Sequence, residues 1–254
     1  MQIYPFDLEF NDYATGEPYF ARFPFFAGGS PLEGVACGIS SVFAGSMGID
    51  FTGGQNLQRL GLFEKAGLDP GSVCGLRQIH SQTVLEVSRE SPPQESADGM
   101  VCNDRRLALS VTAADCLPVY LYDTESGAFG LVHSGWKGTG IVLQAIKMMG
   151  ERFGSKPGSI AAVLGPCIDS CCYKVDAGRA AGFEKNFGAG AVRRADGDFY
   201  LALKTANIQL LEGAGVKHAA LCSNCSFCDP RLGSFRREGA ENYTLMAALL
   251  WHLD

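Results

Sequence analysis

The chain has 254 residues, of which 46% are hydrophobic and 19% are charged, and its formal net charge at pH 7 is −6. This composition is typical of a folded globular protein and excludes disorder as the state of the whole chain. Because Lys and Arg form no dense block, the sequence also argues against non-specific nucleic-acid binding. Small molecules are the expected partners.

The beginning of the chain, MQIYPFDLEF, lacks the basic and apolar regions of a signal peptide. No stretch provides the roughly 18 uninterrupted apolar residues that a membrane-spanning helix needs. We therefore expect a cytoplasmic protein with no membrane partner. Since the cytosol is reducing, the ten cysteines are expected to be thiols, metal ligands or redox groups rather than disulfides.

The first predicted elements are aromatic-rich strands. The pieces YPFDLEF and YFARFPFF predict early strands, or a strand pair around a turn at Gly16 and Glu17. The segment QNLQRLGLFEKA has apolar residues at helical spacing and predicts a helix over residues 55–66, ended by Gly67. A nearly continuous apolar run over residues 107–112 then predicts a buried strand.

In the later part of the chain, predicted strands alternate with predicted helices. Two apolar runs flank the turn residues DTES and predict an antiparallel hairpin. Helices are predicted over residues 141–153, 177–187 and 204–211, strands within KPGSIAAVLGP and DGDFYLAL, and an edge strand or helix at the end of the chain. No convincing domain boundary appears. We therefore expect a single α+β domain over residues 1–254, with layered mixed sheets and flanking helices.

The predicted hairpin brings a cysteine and a histidine together. If DTES forms the turn, Leu117 pairs with Val132 and Cys116 lies opposite His133. Paired positions have Cβ atoms about 5 Å apart, which lets a thiolate and an imidazole share one metal ion. The alternative is a buried cysteine beside a structural histidine, and a third ligand is needed to decide between them.

A third candidate ligand, His80, stands at the entry to a short predicted strand, where a histidine can equally be structural. Arg77 and Gln78 precede it and add a cation and an amide. Asp115 is adjacent to Cys116 and would face away from it in a regular strand. We therefore expect Asp115 to be a supporting or structural carboxylate rather than a general base.

Six motifs give the sequence a resemblance to a known family. They are RQIHSQTV, ADGMV, VTAADCLPVYLYD, GLVHSGWKGT, VLGPCI and SFRRE. Together they resemble the laccase-domain, or YfiH-type, family, whose relatives are described as polyphenol oxidases, purine nucleoside phosphorylases and peptidoglycan editing factors. The resemblance runs from GISS through SFRRE. It implies a single α+β domain of layered sheets, similar to YfiH and to bacterial cysteine-hydrolase toxins.

The resemblance implies zinc ligands at His80, Cys116 and His133, which are also the implied catalytic residues. Three protein ligands leave the fourth position open, as in a catalytic zinc site. Water bound there has a pKa of about 7 and can supply hydroxide, for example to C6 of adenosine. The implied activity is that of a zinc-dependent purine nucleoside phosphorylase, with adenosine deamination as a second reaction.

The expected substrate-binding residues are Ser40 of the GISS segment, Arg77, Gln78 and Lys137. The two cations among them would hold phosphate or transition-state charge, since a purine nucleoside and phosphate are the expected substrates. Lys137 stands where the family often has arginine, and a lysine cannot clamp phosphate through two parallel bonds. Trp136 would stack on a base or belong to the core.

Two other reaction classes remain open. One cysteine and two histidines are also the equatorial ligands of a blue-copper centre, which makes a copper-dependent polyphenol oxidase the first alternative. The sequence offers no obvious axial methionine and only four histidines for it. The second is a metal-free cysteine hydrolase or amidase acting on a peptidoglycan-related substrate, with Cys116 as nucleophile and His133 as base. A metal that only braces a binding surface is a third, non-enzymatic option.

The motifs that carry the resemblance do not include the run Cys222, Cys225 and Cys228. Three cysteines at this spacing can hold a metal ion, but the sequence offers no evident fourth ligand. They are expected to be free thiols or to have a local structural role. The sequence leaves open whether they bind a second metal ion.

Overall fold

The computed structural model describes residues 1–10, 19–50 and 54–253, so the predicted turn at Gly16 and Glu17 lies outside the described residues. The α-helices are α1 (Leu57–Lys65), α2 (Ile141–Phe153), α3 (Ala177–Phe187), α4 (Leu203–Ala214) and α5 (Phe235–Glu238). The strands are β1 (Gln2–Phe6), β2 (Phe20–Phe23), β3 (Phe26–Ala27), β4 (Ser30–Pro31), β5 (Val35–Ser40), β6 (Val73–Gly75), β7 (Val84–Glu86), β8 (Gly99–Cys102), β9 (Ala108–Ala113), β10 (Leu117–Asp123), β11 (Phe129–Ser134), β12 (Ile160–Leu164), β13 (Lys174–Val175), β14 (Val192–Ala195), β15 (Asp198–Leu201), β16 (His218–Cys222) and β17 (Met246–His252).

The largest sheet has seven strands in the order β1-β16-β12-β10-β11-β8-β7. Its middle strands β12, β10, β11 and β8 are antiparallel to one another, whereas the outer pairs on both sides are parallel. Nearly every residue of β10 and β11 is buried. This burial explains their continuous apolar runs, because a strand that is covered on both faces needs apolar residues at every position.

A second sheet has five strands in the order β2-β5-β17-β9-β6. The last strand of the chain, β17, lies in the centre of this sheet, so the prediction of an edge strand or helix there was wrong. A buried central strand needs the same apolar run that an edge strand can show, and the sequence alone does not separate the two. The early strands β1 and β2 belong to different sheets and do not pair with each other.

The sheets and helices are stacked in layers. Side chains along β17 alternate between its two faces, as strand geometry requires. Ala248 and Leu250 pack between the two sheets, whereas Leu249 and Trp251 pack with α1 on the outer face of the five-stranded sheet. Helices α2 and α4 cover the opposite face of the seven-stranded sheet. The predicted α+β fold of layered mixed sheets with flanking helices is confirmed.

The helices lie close to the predicted positions. Helix α3 has the predicted bounds, and α2 ends at Gly154, whose φ of 73° terminates the helix in the left-handed region. Helix α4 continues three residues beyond the predicted Leu211, because the next left-handed glycine is Gly215. In the part of the chain that the structure describes, no helix is both long and apolar enough to cross a membrane.

The hairpin of β10 and β11 forms as predicted, but its register differs. Pro118, rather than Cys116, pairs with His133, which is a shift of two positions. The turn is longer than DTES because the Asp123 N–H donates to the Ala128 carbonyl at 2.8 Å and so closes a wider loop. Since side chains alternate with a period of two, a shift of two positions leaves the cysteine and the histidine on the same face.

Candidate active site

His80 lies in the loop between β6 and β7, and a buried carboxylate holds this loop in place. The backbone of His80 is in the left-handed region, with a φ of 60°, which costs roughly 1–2 kcal/mol for a residue with a side chain. The fully buried Asp98 carboxylate accepts N–H bonds from Ile79 at 3.2 Å, His80 at 2.9 Å and Ser81 at 2.6 Å. Asp98 therefore secures the loop that presents His80.

Cys116 lies at the bend between β9 and β10, directly after a second left-handed residue. This residue, Asp115, has a φ of 88°. Its carboxylate accepts a hydrogen bond from the Ser226 hydroxyl at 2.7 Å and another from the Arg236 N–H at 2.7 Å. Both oxygens are thus engaged by the C-terminal part of the chain, which is consistent with a structural carboxylate that fixes the bend before Cys116.

His133 lies near the end of β11, and Asp98 orients its ring as well. The Nδ1 atom of His133 is 3.0 Å from Oδ1 of Asp98, and the imidazole is only 4% exposed. Because Nδ1 contacts this carboxylate, Nε2 is the nitrogen that remains for a ligand. A carboxylate in this position makes an imidazole a more basic metal ligand. One buried side chain therefore positions two of the three predicted ligands.

The structure brings the three predicted ligands together. One ligand atom from each of His80, Cys116 and His133 lies within 4.8 Å of the other two. Burial alone would raise the pKa of the Cys116 thiol, but the neighbouring His133 and His80 outweigh burial and lower this pKa to about 6. A thiolate with two imidazoles is a donor set that suits zinc or copper. The residues present therefore fit a bound metal ion.

The ligand cluster opens into a cavity of about 490 Å³, a volume in the range of small-molecule binding sites. Two guanidinium groups, those of Arg179 and Arg236, line it. The Cζ atom of Arg179 lies 4.4 Å from the centre of the Trp136 ring, so cation and ring stack. The aromatic residues of the lining are Trp136, Tyr173, Phe235 and Tyr243. The cavity can therefore offer flat apolar surfaces and positive charge beside the three predicted ligands.

Two of the predicted substrate-binding residues lie at or near this cavity. Gln78 lines it, but its amide donates to the Thr112 carbonyl at 2.8 Å and accepts from the Thr112 N–H at 2.7 Å. These bonds fix the end of β9 and occupy much of the amide. Lys137 is exposed and lines a neighbouring depression, which shares Trp136 and Arg179 with the cavity.

The other two predicted substrate-binding residues are not among those that line the cavity. Ser40 is fully buried in β5, and its hydroxyl accepts the Ala247 N–H at 2.9 Å. This bond joins β5 to β17, so the structure gives Ser40 a role in the five-stranded sheet. Arg77 is exposed, and its carbonyl accepts the Ala97 N–H at 3.1 Å. For both residues substrate binding stays a prediction.

Three residues for which the sequence predicted no role lie at the site. Asp98 belongs to the ADGMV motif and Arg236 to the SFRRE motif, so their segments carried a signal although the residues had no role. Arg179, in the first turn of α3, had no such signal. A cation near the start of a surface helix looks like an ordinary solvent-exposed residue until the helix is docked.

Comparison with known proteins gives matches over most of the chain. Residues 54–252 match the family model described as multi-copper polyphenol oxidoreductase laccase. Over 190 residues the chain is 33% identical to a purine nucleoside phosphorylase of Corynebacterium glutamicum, an alignment that covers 73% of this chain and 76% of that protein.

Two solved structures share the fold. YlmD from Geobacillus stearothermophilus superposes with a TM-score of 0.82 at 24% identity and covers 96% of this chain and 99% of its own. The hypothetical protein YfiH of Bacillus licheniformis gives a TM-score of 0.76 at 26% identity, with 85% and 92% coverage. With the family model matching most of its length, this chain belongs to the laccase-like, YfiH-type family.

Proposed function

We propose that this chain is a purine nucleoside phosphorylase that depends on a zinc ion held by His80, Cys116 and His133. The observation that carries the proposal is the combination, in one cavity, of these three ligands with two guanidinium groups and several aromatic rings. The similarity to the Corynebacterium glutamicum protein, which is named a purine nucleoside phosphorylase, supports the same reaction.

The aromatic lining would bind the purine. Tyr173, Phe235 and Tyr243 line the cavity together with Trp136, and stacking of one nucleobase on one aromatic ring is worth about 1–3 kcal/mol. The Phe235 and Tyr243 rings already contact each other edge to face, with centroids 5.1 Å apart. This contact fixes their orientation before a substrate arrives, which lowers the entropic cost of binding.

The two guanidinium groups would bind phosphate. A guanidinium matches phosphate oxygens through two parallel hydrogen bonds, which a lysine cannot do. Arg236 is held in place because its Nη1 donates to the Lys174 carbonyl at 2.9 Å, and Arg179 is held by its stack on Trp136. We therefore assign phosphate binding to Arg179 and Arg236 rather than to Arg77 and Lys137.

In the proposed reaction a phosphate oxygen attacks C1′ of the ribose, and the bond between C1′ and the purine nitrogen breaks. The products are ribose 1-phosphate and the free base, which takes up a proton. When bound, the metal supplies Lewis-acid stabilisation of developing negative charge. Asp98 keeps His133 oriented, while Arg179 and Arg236 hold phosphate against the sugar.

The test is phosphate dependence. The purified full chain, loaded with zinc, is incubated with adenosine, inosine or guanosine, with and without phosphate, and the products are resolved by chromatography. We expect free base and ribose 1-phosphate only when phosphate is present. Inosine formed from adenosine without phosphate would reveal the deaminase reaction. Absence of all these products, with His80→Ala equal to the unmodified chain, would contradict the proposal.

Variants separate the two assignments of the phosphate site. Arg179→Ala should raise the KM for phosphate by roughly ten-fold or more, the cost of losing a hydrogen bond to a charged group. Lys185→Ala is the matched control, because Lys185 is an exposed cation on the same helix, α3. If Lys137→Ala raises the KM for phosphate more than Arg179→Ala does, Lys137 binds phosphate, as the sequence predicted.

The copper oxidase alternative has less support. Among the described residues that line the cavity, none is a methionine that could act as an axial ligand. Of the four histidines in the chain, His218 and His252 are engaged elsewhere, with the Tyr4 hydroxyl and with the Gly127 carbonyl. A multi-copper centre would therefore lack ligands. Elemental analysis that finds copper, together with an intense visible absorption band, would favour this alternative.

The metal-free hydrolase alternative rests on the same thiolate. A cysteine with a lowered pKa beside a histidine is also the arrangement of a cysteine nucleophile. Alkylation distinguishes the two, because a thiolate bound to zinc is protected from the reagent. We expect Cys116 to react slowly in the protein as isolated and quickly after a chelator is added. Rapid reaction before chelation would favour the hydrolase.

A further inference from the structure

Outside the candidate active site, the structure contains a second group of ligand side chains. Cys171 and Cys172 lie in the loop between β12 and β13, and Cys225 and Cys228 lie in the loop after β16. Their four sulfur atoms all lie within 4.8 Å of one another. Cys222, the first cysteine of the run seen in the sequence, is not part of this group and is buried at the end of β16.

The spacing of the sulfurs matches a single tetrahedral metal ion. Four sulfurs bonded to zinc at about 2.3 Å lie about 3.8 Å apart at the corners of the tetrahedron. The Sγ atom of Cys228 is 3.8 Å from that of Cys171 and 3.3 Å from that of Cys172. These distances are too long for disulfides, and all four thiols are unpaired. An iron–sulfur cluster binds its cysteines through several iron atoms, which spreads the sulfurs further apart.

The fold holds the two loops together before any metal binds. Cys167 and Cys225 form an isolated parallel bridge, in which the Ser226 N–H donates to the Cys167 carbonyl at 3.0 Å. The Asp169 N–H approaches the Cys225 sulfur at 3.3 Å. The N–H of Cys228 donates to the Cys225 carbonyl at 3.1 Å, which forms the tight turn of a C-x-x-C segment. The sulfurs are thus grouped by backbone hydrogen bonds.

Positive side chains contact both loops. The Arg193 Nε donates to the carbonyl of Ser170, the residue before Cys171, at 2.7 Å. The Lys204 ammonium, which is nearly buried, contacts the Asp169 carboxylate at 2.9 Å and the Asn224 carbonyl at 3.1 Å. Through Lys204, the loop of Cys171 and Cys172 is joined to the loop of Cys225 and Cys228.

We propose that Cys171, Cys172, Cys225 and Cys228 bind a structural zinc ion that is separate from the metal at the candidate active site. With four protein sulfurs the coordination is complete, which leaves no position for a substrate and is typical of a structural zinc site. The ion joins two loops that are more than fifty residues apart in sequence. The proposal does not depend on the phosphorylase reaction.

The zinc ion would brace the wall of the cavity. The loop of Cys225 and Cys228 also contains Ser226, whose hydroxyl donates to the Asp115 carboxylate before Cys116. The loop of Cys171 and Cys172 leads directly into Tyr173, an aromatic residue of the cavity lining. Loss of this ion should therefore loosen both the bend that presents Cys116 and one face of the proposed purine site.

The first test counts metal ions. The full chain and its variants are purified under reducing conditions and analysed for zinc by mass spectrometry. We expect the Cys171→Ser/Cys228→Ser variant to contain one zinc ion fewer per chain than the unmodified protein. Cys222→Ser is the matched control and should keep its zinc, because Cys222 belongs to the same run but not to the group. Equal zinc in all three proteins would overturn the proposal, as would iron in place of zinc.

A second test needs no cysteine variant and therefore does not depend on how such a variant folds. His80→Ala/His133→Ala removes the ligands of the other metal, and X-ray absorption at the zinc edge should then show four sulfurs at about 2.3 Å. In the unmodified protein the exposed Cys171 and Cys228 should resist alkylation until a chelator is added. Nitrogen ligands, immediate alkylation, or a disulfide between the two loops in peptides from reduced preparations would refute the site.

Discussion

The buried carboxylate of Asp98 contacts both sides of the candidate metal centre. It accepts the backbone N–H groups around His80 and lies against the Nδ1 atom of His133. Burial would raise the pKa of Asp98, but its bonds to His133 and Ser81 outweigh burial and lower this pKa to about 2. The carboxylate is therefore ionised at neutral pH, where it can hold the Nδ1 proton and leave Nε2 as the metal ligand.

Replacing this carboxylate tests its positioning role. Asp98→Asn keeps the shape of the side chain but removes its charge, so we expect zinc affinity at the candidate active site to fall by roughly 10- to 100-fold. Competition with a fluorescent chelator measures this change. Asp104→Asn serves as the control, because Asp104 pairs with Arg106 near the surface. If both variants bind zinc equally well, Asp98 does not orient the ligands.

A glycine beside the cluster also has a specific role. A Cβ atom on Gly135 would lie 2.7 Å from the Cys116 sulfur and 3.6 Å from Cδ2 of His80. Gly135→Ala should therefore displace the thiolate and lower zinc affinity roughly 10-fold or more, as other disturbances beside metal ligands do. Gly213→Ala is a suitable comparison, since a Cβ there meets nothing within 4 Å. Unchanged zinc binding in Gly135→Ala would mean that the cluster is looser than the geometry indicates.

At the scale of elements, the hairpin of β10 and β11 positions two of the three candidate ligands, since Cys116 directly precedes β10 and His133 lies in β11. Two apolar runs in the sequence predicted this hairpin. Its register, however, depends on the turn, and in particular on Asp123. Besides its backbone bond to Ala128, Asp123 accepts the Ser126 hydroxyl at 2.5 Å and the Glu125 N–H at 3.0 Å through its carboxylate. These bonds stabilise the wider loop, and a sequence pattern of apolar and polar residues does not specify them.

Asp123→Ala should destabilise the protein at neutral pH by about 1–3 kcal/mol, because the turn loses the hydrogen bonds that the charged Asp123 carboxylate accepts from Glu125 and Ser126. Urea unfolding measures this difference, with the exposed turn residue in Glu125→Ala as the control.

The effect of Asp123→Ala should also depend on pH. Burial raises the pKa of Asp123, but its bonds to Ser126, Ser155 and Ser159 outweigh burial and hold this pKa below its ordinary value of 3.8. The unfolded chain therefore binds more protons in acid, so the stabilisation is complete above about pH 4 and is lost as the pH falls through the folded-state pKa. A destabilisation that stays constant down to strongly acidic pH would contradict this account.

At the scale of the whole molecule, the two large sheets share one core. Tyr120 of the seven-stranded sheet is fully buried between the sheets, and its hydroxyl donates to the Gly38 carbonyl of the five-stranded sheet at 3.0 Å. Met100 and Leu131 from one sheet pack in the same apolar cluster as Leu250 from the other. This shared core supports the proposal that residues 1–254 form a single domain.

A single domain should unfold in one cooperative transition. The two tryptophans report on different regions, because Trp251 lies in β17 of the five-stranded sheet and Trp136 follows β11 of the seven-stranded sheet. Fluorescence of Trp136→Phe and of Trp251→Phe should therefore give the same urea midpoint as circular dichroism, when each variant is compared with its own circular dichroism curve. Separate midpoints for the two probes would indicate two domains.

The sequence by itself determined most of the local elements and predicted the candidate metal ligands. Helical periodicity and glycine stops located α2 and α3, and apolar runs located β10 and β11, because these features depend on neighbouring residues. The motifs around His80, Cys116 and His133 also predicted the candidate ligand set, and the structure brings these three residues together. A shift of two positions in the hairpin did not disturb it, since the alternation of a strand kept both ligands on one face.

Only the tertiary structure decided which distant segments meet. Arg179 and Arg236 reach the cavity because α3 and the C-terminal segment dock beside it, and Cys171 meets Cys228 because two loops cross at the ends of neighbouring strands. The central position of β17 was decided in the same way. Such contacts depend on how sheets and helices pack over long separations in sequence, and no local pattern of residues records that packing.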